Sequence, residues 1–189
     1  SPEDFYRWYV QRDGYDPDAP WVGLIGYDSF YKNGDMEMYT QTILALEKKG
    51  INAVLLLPSS TTRNTAVRQY FYRDLNGDGK KEPAIDTLIA CLGFQFDRST
   101  GGEAKTLALF KEINVPVLNP IYSSDLEKWK TDPAGALSEV YWQVALPEME
   151  GRFEPILMGG TVTLSVDEET GAVVTKKVAL PDRIERLAG

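Results

Sequence analysis

Short apolar segments alternate with longer amphipathic segments through most of this chain. The short segments are rich in Val, Ile and Leu, a composition typical of strands that are buried on both faces. In the longer segments the apolar residues recur at near-helical spacing, which predicts helices with one buried face. The predicted strands lie within 21–27, 52–57, 87–92 and 116–119, and the predicted helices cover about 36–49, 64–72, 100–114 and 132–144.

Local signals support several of the predicted helix ends. Gly50 follows the basic pair Lys48–Lys49, as is typical of a helix C-terminus. Two segments, Thr100–Glu103 and Ser124–Glu127, have the pattern of a capping box, in which the first and fourth side chains satisfy end amides. We therefore expect helices to begin at these two segments.

Alternating strands and helices predict parallel β-α-β units with right-handed crossovers. With a further strand at 155–158, the sequence predicts an α/β fold with a flavodoxin-like (Rossmann-like) parallel sheet, covered by helices on both faces. The segments 161–166 and 172–178 flank a polar turn and predict a C-terminal β-hairpin. The predicted divisions are a lead-in segment 1–20, the flavodoxin-like domain 21–160, and 161–189 with the hairpin and the start of a helix.

The composition excludes several classes of protein. The 189 residues include 28 acidic and 20 basic side chains, and a net charge of −8 disfavours a nucleic-acid partner. Without histidine, the chain has no Ser-His-Asp or Cys-His catalytic site and no His-ligated metal. The single Cys91 excludes an internal disulfide, and we expect a cytoplasmic protein. No apolar run approaches the length of a membrane span, and the Ser1 start suggests a piece of a longer protein.

The sharpest local motif is the segment 74–82, Asp-Leu-Asn-Gly-Asp-Gly-Lys-Lys-Glu. It has oxygen ligands at positions 1, 3 and 5 of a calcium loop, Gly at 6, a backbone carbonyl at 7 and an acid at 9. Ile85 stands where position 12 needs a bidentate Glu. The alternative is a polar turn without metal. The predicted ligands of a structural Ca²⁺ are Asp74, Asn76, Asp78, Lys80 and Glu82.

Ligands of open parallel sheets bind beyond the carboxyl ends of the strands, where the strand order reverses. The loops that follow the predicted strands carry hydroxyls, aromatic rings and one carboxylate, although such loops are polar in this fold class whatever they bind. No glycine-rich phosphate-binding motif is present, so we do not expect this chain to hydrolyse nucleotides. The candidate ligand-binding residues are Glu148 and, in these loops, Tyr27, Asp28, Ser29, Ser59, Ser60, Gly93, Phe94 and Tyr122.

Three segments together resemble a known family, namely Val115–Leu118, Ser123–Trp129 and Val144–Arg152. Weaker matches such as Val22–Ile25 and Pro181–Ala188 extend the resemblance, in order, over nearly the whole chain. The chain resembles the large subunit of cobaltochelatase (CobN) and its magnesium-chelatase relatives. The family usually has Asp where Glu150 stands, and the segment 74–82 is outside the family pattern.

The resemblance implies ATP-dependent insertion of Co²⁺ or Mg²⁺ into a tetrapyrrole, on the route to cobalamin or chlorophyll. It also implies that this chain is one part of a large subunit that binds the macrocycle, while separate AAA-type subunits hydrolyse ATP. Two pyrrole protons must leave as the metal enters. Without histidine, only carboxylates such as Asp28 and Glu148 are available, so we expect the chelation centre elsewhere in the parent subunit. This domain would then be a tetrapyrrole-binding or scaffold layer.

Two alternatives remain open from the sequence. One is a stand-alone α/β ligand-binding module, such as a sugar-binding protein, with a structural calcium loop. The other is an interaction domain that binds no small molecule, in which case no ligand should raise the melting temperature.

Overall fold

The computed structural model describes residues 1–134 and 139–189. Its regular elements form one central parallel sheet, a mixed three-stranded sheet, a short two-stranded antiparallel sheet, and helices. In chain order they are α1 (Pro2–Tyr9), β1 (Trp21–Ile25), α2 (Asp28–Lys32), α3 (Glu37–Lys48), β2 (Asn52–Leu56), α4 (Arg63–Tyr70), β3 (Tyr72–Arg73), β4 (Glu82–Pro83), β5 (Thr87–Ala90), α5 (Gly102–Ile113), β6 (Val117–Leu118), β7 (Ile121–Ser123), α6 (Leu126–Thr131), a π-helical turn (Tyr141–Ala145), α7 (Leu146–Met149), β8 (Leu157–Val166), β9 (Val173–Ala179) and α8 (Pro181–Leu187).

The central sheet has four parallel strands in the order β2-β1-β5-β6. From β1 the chain goes outward to β2 and then returns to pair β5 on the other side of β1, with Val22 opposite both Ala53 and Thr87. The strand order therefore reverses between β1 and β5. This arrangement confirms the predicted flavodoxin-like α/β fold.

Each face of the central sheet has its own apolar core. Leu24 of β1 packs on one side with Tyr39 of α3. Its neighbour Ile25 packs on the other side with Phe71, just after α4. Because successive side chains of a strand point to opposite faces, both faces need apolar residues. This explains why the strands read as continuous apolar runs.

The C-terminal sheet has the order β7-β8-β9, and the predicted hairpin is present as the antiparallel pair β8 and β9. The prediction that 155–158 adds a strand to the parallel sheet is wrong. Leu157 instead begins the long strand β8, which pairs with β7. Gly159 and Gly160 interrupt the apolar pattern, but a side chain at Gly159 would overlap the Val178 carbonyl, so these glycines let β8 approach its neighbours closely.

Helix α1 lies in the lead-in segment, for which the sequence pattern had predicted no element. A reciprocal capping box between Ser1 and Asp4 begins it. Tyr9 at its last position is buried, and the Ala53 N–H donates to the Tyr9 hydroxyl at 2.9 Å. The lead-in therefore packs against the sheet through an aromatic side chain.

Two predicted capping boxes are wrong by one residue. Gly101, at φ +70°, occupies the N-cap of α5 and has no side chain to accept an amide, so Thr100 lies outside the helix. Asp125, rather than Ser124, caps α6 by accepting the Lys128 N–H at 2.9 Å.

The predicted helix over 132–144 partly falls at 135–138, which lie outside the described residues. Its end coincides with the π-helical turn, which continues into α7. None of the helices within 1–134 and 139–189 combines the length and apolar composition needed to cross a membrane.

Candidate functional site

A cavity of about 350 Å³ lies at the carboxyl ends of β1 and β5, where the strand order reverses. We call it the switch-point cavity. It brings together the eight candidate residues predicted from the strand-end loops, whose role in binding stays a prediction. Glu148 is not among the lining residues; it is exposed on α7. The lining residues are Tyr27, Asp28, Ser29, Phe30, Ser59, Ser60, Arg63, Gly93, Phe94, Arg98 and Tyr122.

Tyr27 joins the loops after β1 and β5 at the base of the cavity. Its hydroxyl donates to the Gly93 carbonyl at 2.8 Å, and its N–H donates to the Tyr39 hydroxyl at 2.9 Å. Burial raises the pKa of the Tyr27 phenol well above its usual value. The hydroxyl therefore stays protonated near neutral pH and keeps donating to Gly93.

Two arginines that the sequence analysis did not single out also line the switch-point cavity. Arg63 begins α4 and is only 3% exposed, and its Nη1 donates to the Phe96 carbonyl at 3.0 Å. Its guanidinium lies 5.4 Å from the centre of the Tyr27 ring. The Arg63 Nε has no hydrogen-bond partner within the described part of the chain. Arg98 lines the same cavity from an exposed position. The available signal was an Arg directly after the hydroxyl-rich run 59–62.

The one carboxylate of the cavity is already paired. Lys32 Nζ lies 2.6 Å from the Asp28 carboxylate, one helical turn away. This hydrogen bond lowers the pKa of Asp28 below its usual value. With Asp28 neutralised by Lys32, the remaining charge of the lining comes from Arg63 and Arg98. The cavity is therefore suited to a ligand that carries an anionic group.

A buried ion pair supports the loop after β5 from behind. Arg152 is 1% exposed, and its Nη2 donates to Glu150 Oε2 at 2.8 Å and to the Phe94 carbonyl. Its Nη1 donates to the Leu92 carbonyl at 2.9 Å and to Asn119 Oδ1 at 3.1 Å. One guanidinium thus fixes two carbonyls of the loop that lines the cavity.

Glu150 completes this support. Both of its carboxylate oxygens accept the Phe96 N–H, at 3.0 and 3.1 Å. Burial raises the pKa of the Glu150 carboxyl, and the adjacent Arg152 guanidinium opposes that rise. Gly151, at φ +83°, allows the turn that directs Glu150 and Arg152 inward together. The sequence motif predicts a binding role for the neighbouring Glu148 instead.

The predicted calcium loop forms a self-contained polar turn between β3 and β4. Asp74 accepts the N–H groups of Gly77 and Gly79 at 2.7 and 2.9 Å, while the Asn76 side chain donates to Glu82. Among residues 1–134 and 139–189, no three acidic or cysteine side chains are grouped so that they could hold a metal ion. The structure therefore gives no support to calcium ligands at Asp74, Asn76, Asp78, Lys80 and Glu82.

Fold and site together define an α/β domain of flavodoxin-like order with a polar cavity at its strand-order reversal. The family model described as CobN/Magnesium Chelatase matches residues 1–189, so the chain belongs to this family. The resemblance expected from the sequence is thereby confirmed.

Relatives and a solved structure are much longer than this chain. The chain is 29% identical to the chloroplastic magnesium-chelatase subunit ChlH of Oryza sativa subsp. indica, over 98% of this chain and 13% of that protein. It is 29% identical to the aerobic cobaltochelatase subunit CobN of Sinorhizobium sp, over 76% of this chain and 11% of that protein. The catalytic subunit of cobaltochelatase from Mycobacterium tuberculosis has a similar fold, with a TM-score of 0.61 and 18% identity over 90% of this chain and 14% of that one.

Proposed function

We propose that this chain forms one wall of the tetrapyrrole-binding site in the large subunit of a chelatase whose metal substrate is Co²⁺ or Mg²⁺. The observation that carries the proposal is the switch-point cavity, in which arginines and serine hydroxyls lie beside aromatic rings. Two of the relatives described above are named as subunits of magnesium chelatase and cobaltochelatase. Membership of the family makes a tetrapyrrole the first ligand to test in this cavity.

The lining chemistry fits one edge of such a ligand. Tetrapyrroles carry carboxylate side chains around a flat ring, and arginine pairs well with carboxylates. Arg98 at the exposed rim and Arg63 deeper in the cavity would hold one such carboxylate, and the hydroxyls of Ser59 and Ser60 would donate to it. A volume of about 350 Å³ is near the lower end of ligand pockets. We therefore propose that this chain holds an edge of the macrocycle and that other parts of the subunit cover the rest.

The metallation step is proposed to lie elsewhere in the parent subunit. Metal insertion requires a group that accepts the pyrrole protons. Asp28 is the carboxylate at hand, but the hydrogen bond from Lys32 lowers its pKa and makes it a weak base. In this proposal the chain works with the rest of the large subunit and with AAA-type subunits that hydrolyse ATP.

Titration with deuteroporphyrin IX, a dicarboxylate porphyrin, tests this function. The chain should shift the Soret absorption band of the porphyrin in a saturable way. Arg98→Gln should weaken binding roughly 10- to 150-fold, because a hydrogen bond to a charged group contributes roughly 1.5–3 kcal/mol. Arg7→Gln, which removes the same charge from the exposed face of α1, is the matched control and should bind like the wild type. No Soret shift with the wild-type chain would exclude the proposed function.

A further inference from the structure

Phe94 has an unusual backbone and an unusual environment for a large aromatic residue. Its φ is +69°, a left-handed conformation that side chains other than glycine rarely adopt. The side chain is nevertheless 45% exposed, so burial of the ring does not account for this conformation. Strained residues of this kind persist where the surroundings hold them, and they cluster at ligand sites.

The surroundings of Phe94 hold its backbone from two sides. Its N–H donates to the Trp142 carbonyl at 2.7 Å, and its carbonyl accepts from Arg152 Nη2. The preceding Gly93 carbonyl accepts the Tyr27 hydroxyl. Arg152 is in turn paired with Glu150. A buried ion pair and a tyrosine therefore fix the direction in which the Phe94 ring projects.

Trp142 lies beside Phe94 and is anchored as well. It belongs to the π-helical turn, a rare element found often at functional sites, and it is 46% exposed. The two ring centres are 5.3 Å apart. The next residue, Gln143, is buried and exchanges two hydrogen bonds with the backbone of Tyr122, at 2.7 and 3.1 Å. This pairing ties the π-helical turn to β7.

A second cavity of about 200 Å³ adjoins this pair of rings. Gly93, Phe94 and Tyr122 line both cavities, so Phe94 stands between them. Trp142 lines the second cavity. Phe94 therefore connects Trp142 with the switch-point cavity, whose lining contains Arg98.

We propose that Phe94 and Trp142 form an aromatic platform for the flat ring of the tetrapyrrole, which stacks its face on Phe94 and contacts Trp142 with its edge because the two aromatic rings are tilted by 48° to each other, while a carboxylate of the same molecule reaches the arginines. The platform makes Phe94 a residue that selects planar ligands, and Glu150 and Arg152 are positioning residues that act through the Phe94 backbone. This inference rests on the proposed function, and it adds the residues that recognise the ring to those that recognise the carboxylate.

Substitutions at Phe94 test the platform with deuteroporphyrin IX as the probe. Phe94→Leu keeps an apolar side chain at the same φ but removes the ring, so the Kd should rise about 3- to 10-fold. Phe94→Tyr keeps the ring and should bind like the wild type. Phe153→Leu is the matched control, because Phe153 is a 46% exposed aromatic residue that lines neither cavity. Its affinity should be unchanged.

Trp142 supplies a second, independent measurement. Trp142→Leu should weaken binding to a similar extent, whereas Trp142→Phe should retain most of the affinity. Both variants should have the melting temperature of the wild type, which shows that they are folded. Absence of porphyrin binding by the wild type would overturn the proposed function and the platform together. Two results would overturn the platform alone, provided that the wild type binds the porphyrin. One is a loss of affinity in Phe94→Leu that is no larger than the loss in Phe153→Leu. The other is a loss of affinity in Phe94→Tyr that is as large as the loss in Phe94→Leu.

Discussion

Glu150 and Arg152 show how a few buried charges can determine the shape of a surface loop. Taking both groups out of water is costly, and the attraction between them offsets that cost only when their other hydrogen bonds are satisfied. Here the carboxylate accepts from Phe96, and the two Nη atoms of the guanidinium donate to Leu92, Asn119 and Phe94, whereas its Nε has no hydrogen-bond partner among the described residues. Each partner other than Asn119 belongs to the loop that lines the switch-point cavity. The ion pair therefore specifies a loop conformation as well as contributing to stability.

Glu150→Gln should destabilise the chain by about 1–3 kcal/mol, because the Arg152 charge would stay buried without its counter-ion, whereas burial already raises the pKa of Glu150 and makes a neutral side chain there less costly. The new amide oxygen can still accept the Phe96 N–H, so most of the loss comes from the charge. Urea unfolding followed by circular dichroism measures the change. Glu112→Gln removes one partner of the exposed pair with Arg68 and should cost less than about 1 kcal/mol. Similar losses for the two variants would contradict the role given to burial.

At the scale of single elements, the approach of β8 to its neighbours depends on glycine. A side chain at Gly159 would meet the Val178 carbonyl of β9 and the Met38 side chain of α3. Gly159→Ala should therefore cost about 1–3 kcal/mol, the usual penalty for overpacking a buried site. Thr163→Ala, at an exposed position of the same strand, should cost less than about 1 kcal/mol. Thermal unfolding of both variants measures the difference, and equal melting temperatures would show that β8 can move away without penalty.

The turn between β3 and β4 is stabilised by its own amides. Asp74→Ala removes the acceptor of the Gly77 and Gly79 N–H groups and should destabilise the chain by about 1 kcal/mol, as loss of a capping side chain does. Because the carboxylates of this turn do not converge, we expect the melting temperature of the wild type to be the same with millimolar calcium as with a chelator. A calcium-dependent rise that Asp74→Ala abolishes would restore the calcium site.

The pattern of apolar and polar residues correctly predicts those helices and strands whose burial follows a regular period. The strands β1, β2 and β5 are apolar on both faces, and helix α3 has one regular buried face, so local sequence alone indicates them. The prediction at 155–158 went wrong because Gly159 and Gly160 look like a break, whereas they allow close approach to another strand. Such a tertiary reason for a residue type leaves no periodic signal.

At the scale of the whole molecule, the topology explains why the place of the site could be predicted better than its chemistry. The rule for open parallel sheets depends only on the strand order, and it brought together Tyr27, Ser59 and Gly93 from separate loops. Arg63 and Arg152 gave no comparable signal, since a buried arginine is rare and its sequence neighbours do not reveal burial. Both arginines donate to backbone carbonyl groups of the loop after β5, which only the folded chain brings near.

The pKa shifts of the carboxyl groups, taken together over the molecule, determine how its stability should depend on pH. Hydrogen bonds from Lys32 and from the Ala179 backbone lower the pKa values of Asp28 and Glu37. At Asp97, desolvation opposes its hydrogen bonds, and the net pKa is still lowered. A lowered pKa in the folded state contributes stability above the unfolded value of about 4, and that stability is lost as the pH falls through the folded value. Glu150, whose pKa is raised, acts in the opposite direction and favours the folded state most when it is protonated.

The directions of these pKa shifts predict that the melting temperature is constant near neutral pH and falls at acidic pH. Several lowered carboxylates outnumber Glu150, so the melting temperature should fall below about pH 4. The chain has no histidine, so no side chain with an unperturbed pKa near 6.5 can change the stability between about pH 6 and 8. Thermal unfolding in buffers of constant ionic strength measures both parts of the curve. A marked slope between pH 6 and 8 that Glu150→Gln removes would show that burial raises the pKa of Glu150 into that range. If Glu150→Gln leaves the melting temperature constant over this range, we expect the pH dependence of porphyrin binding between pH 6 and 8 to come mainly from the carboxylates and ring nitrogens of the ligand.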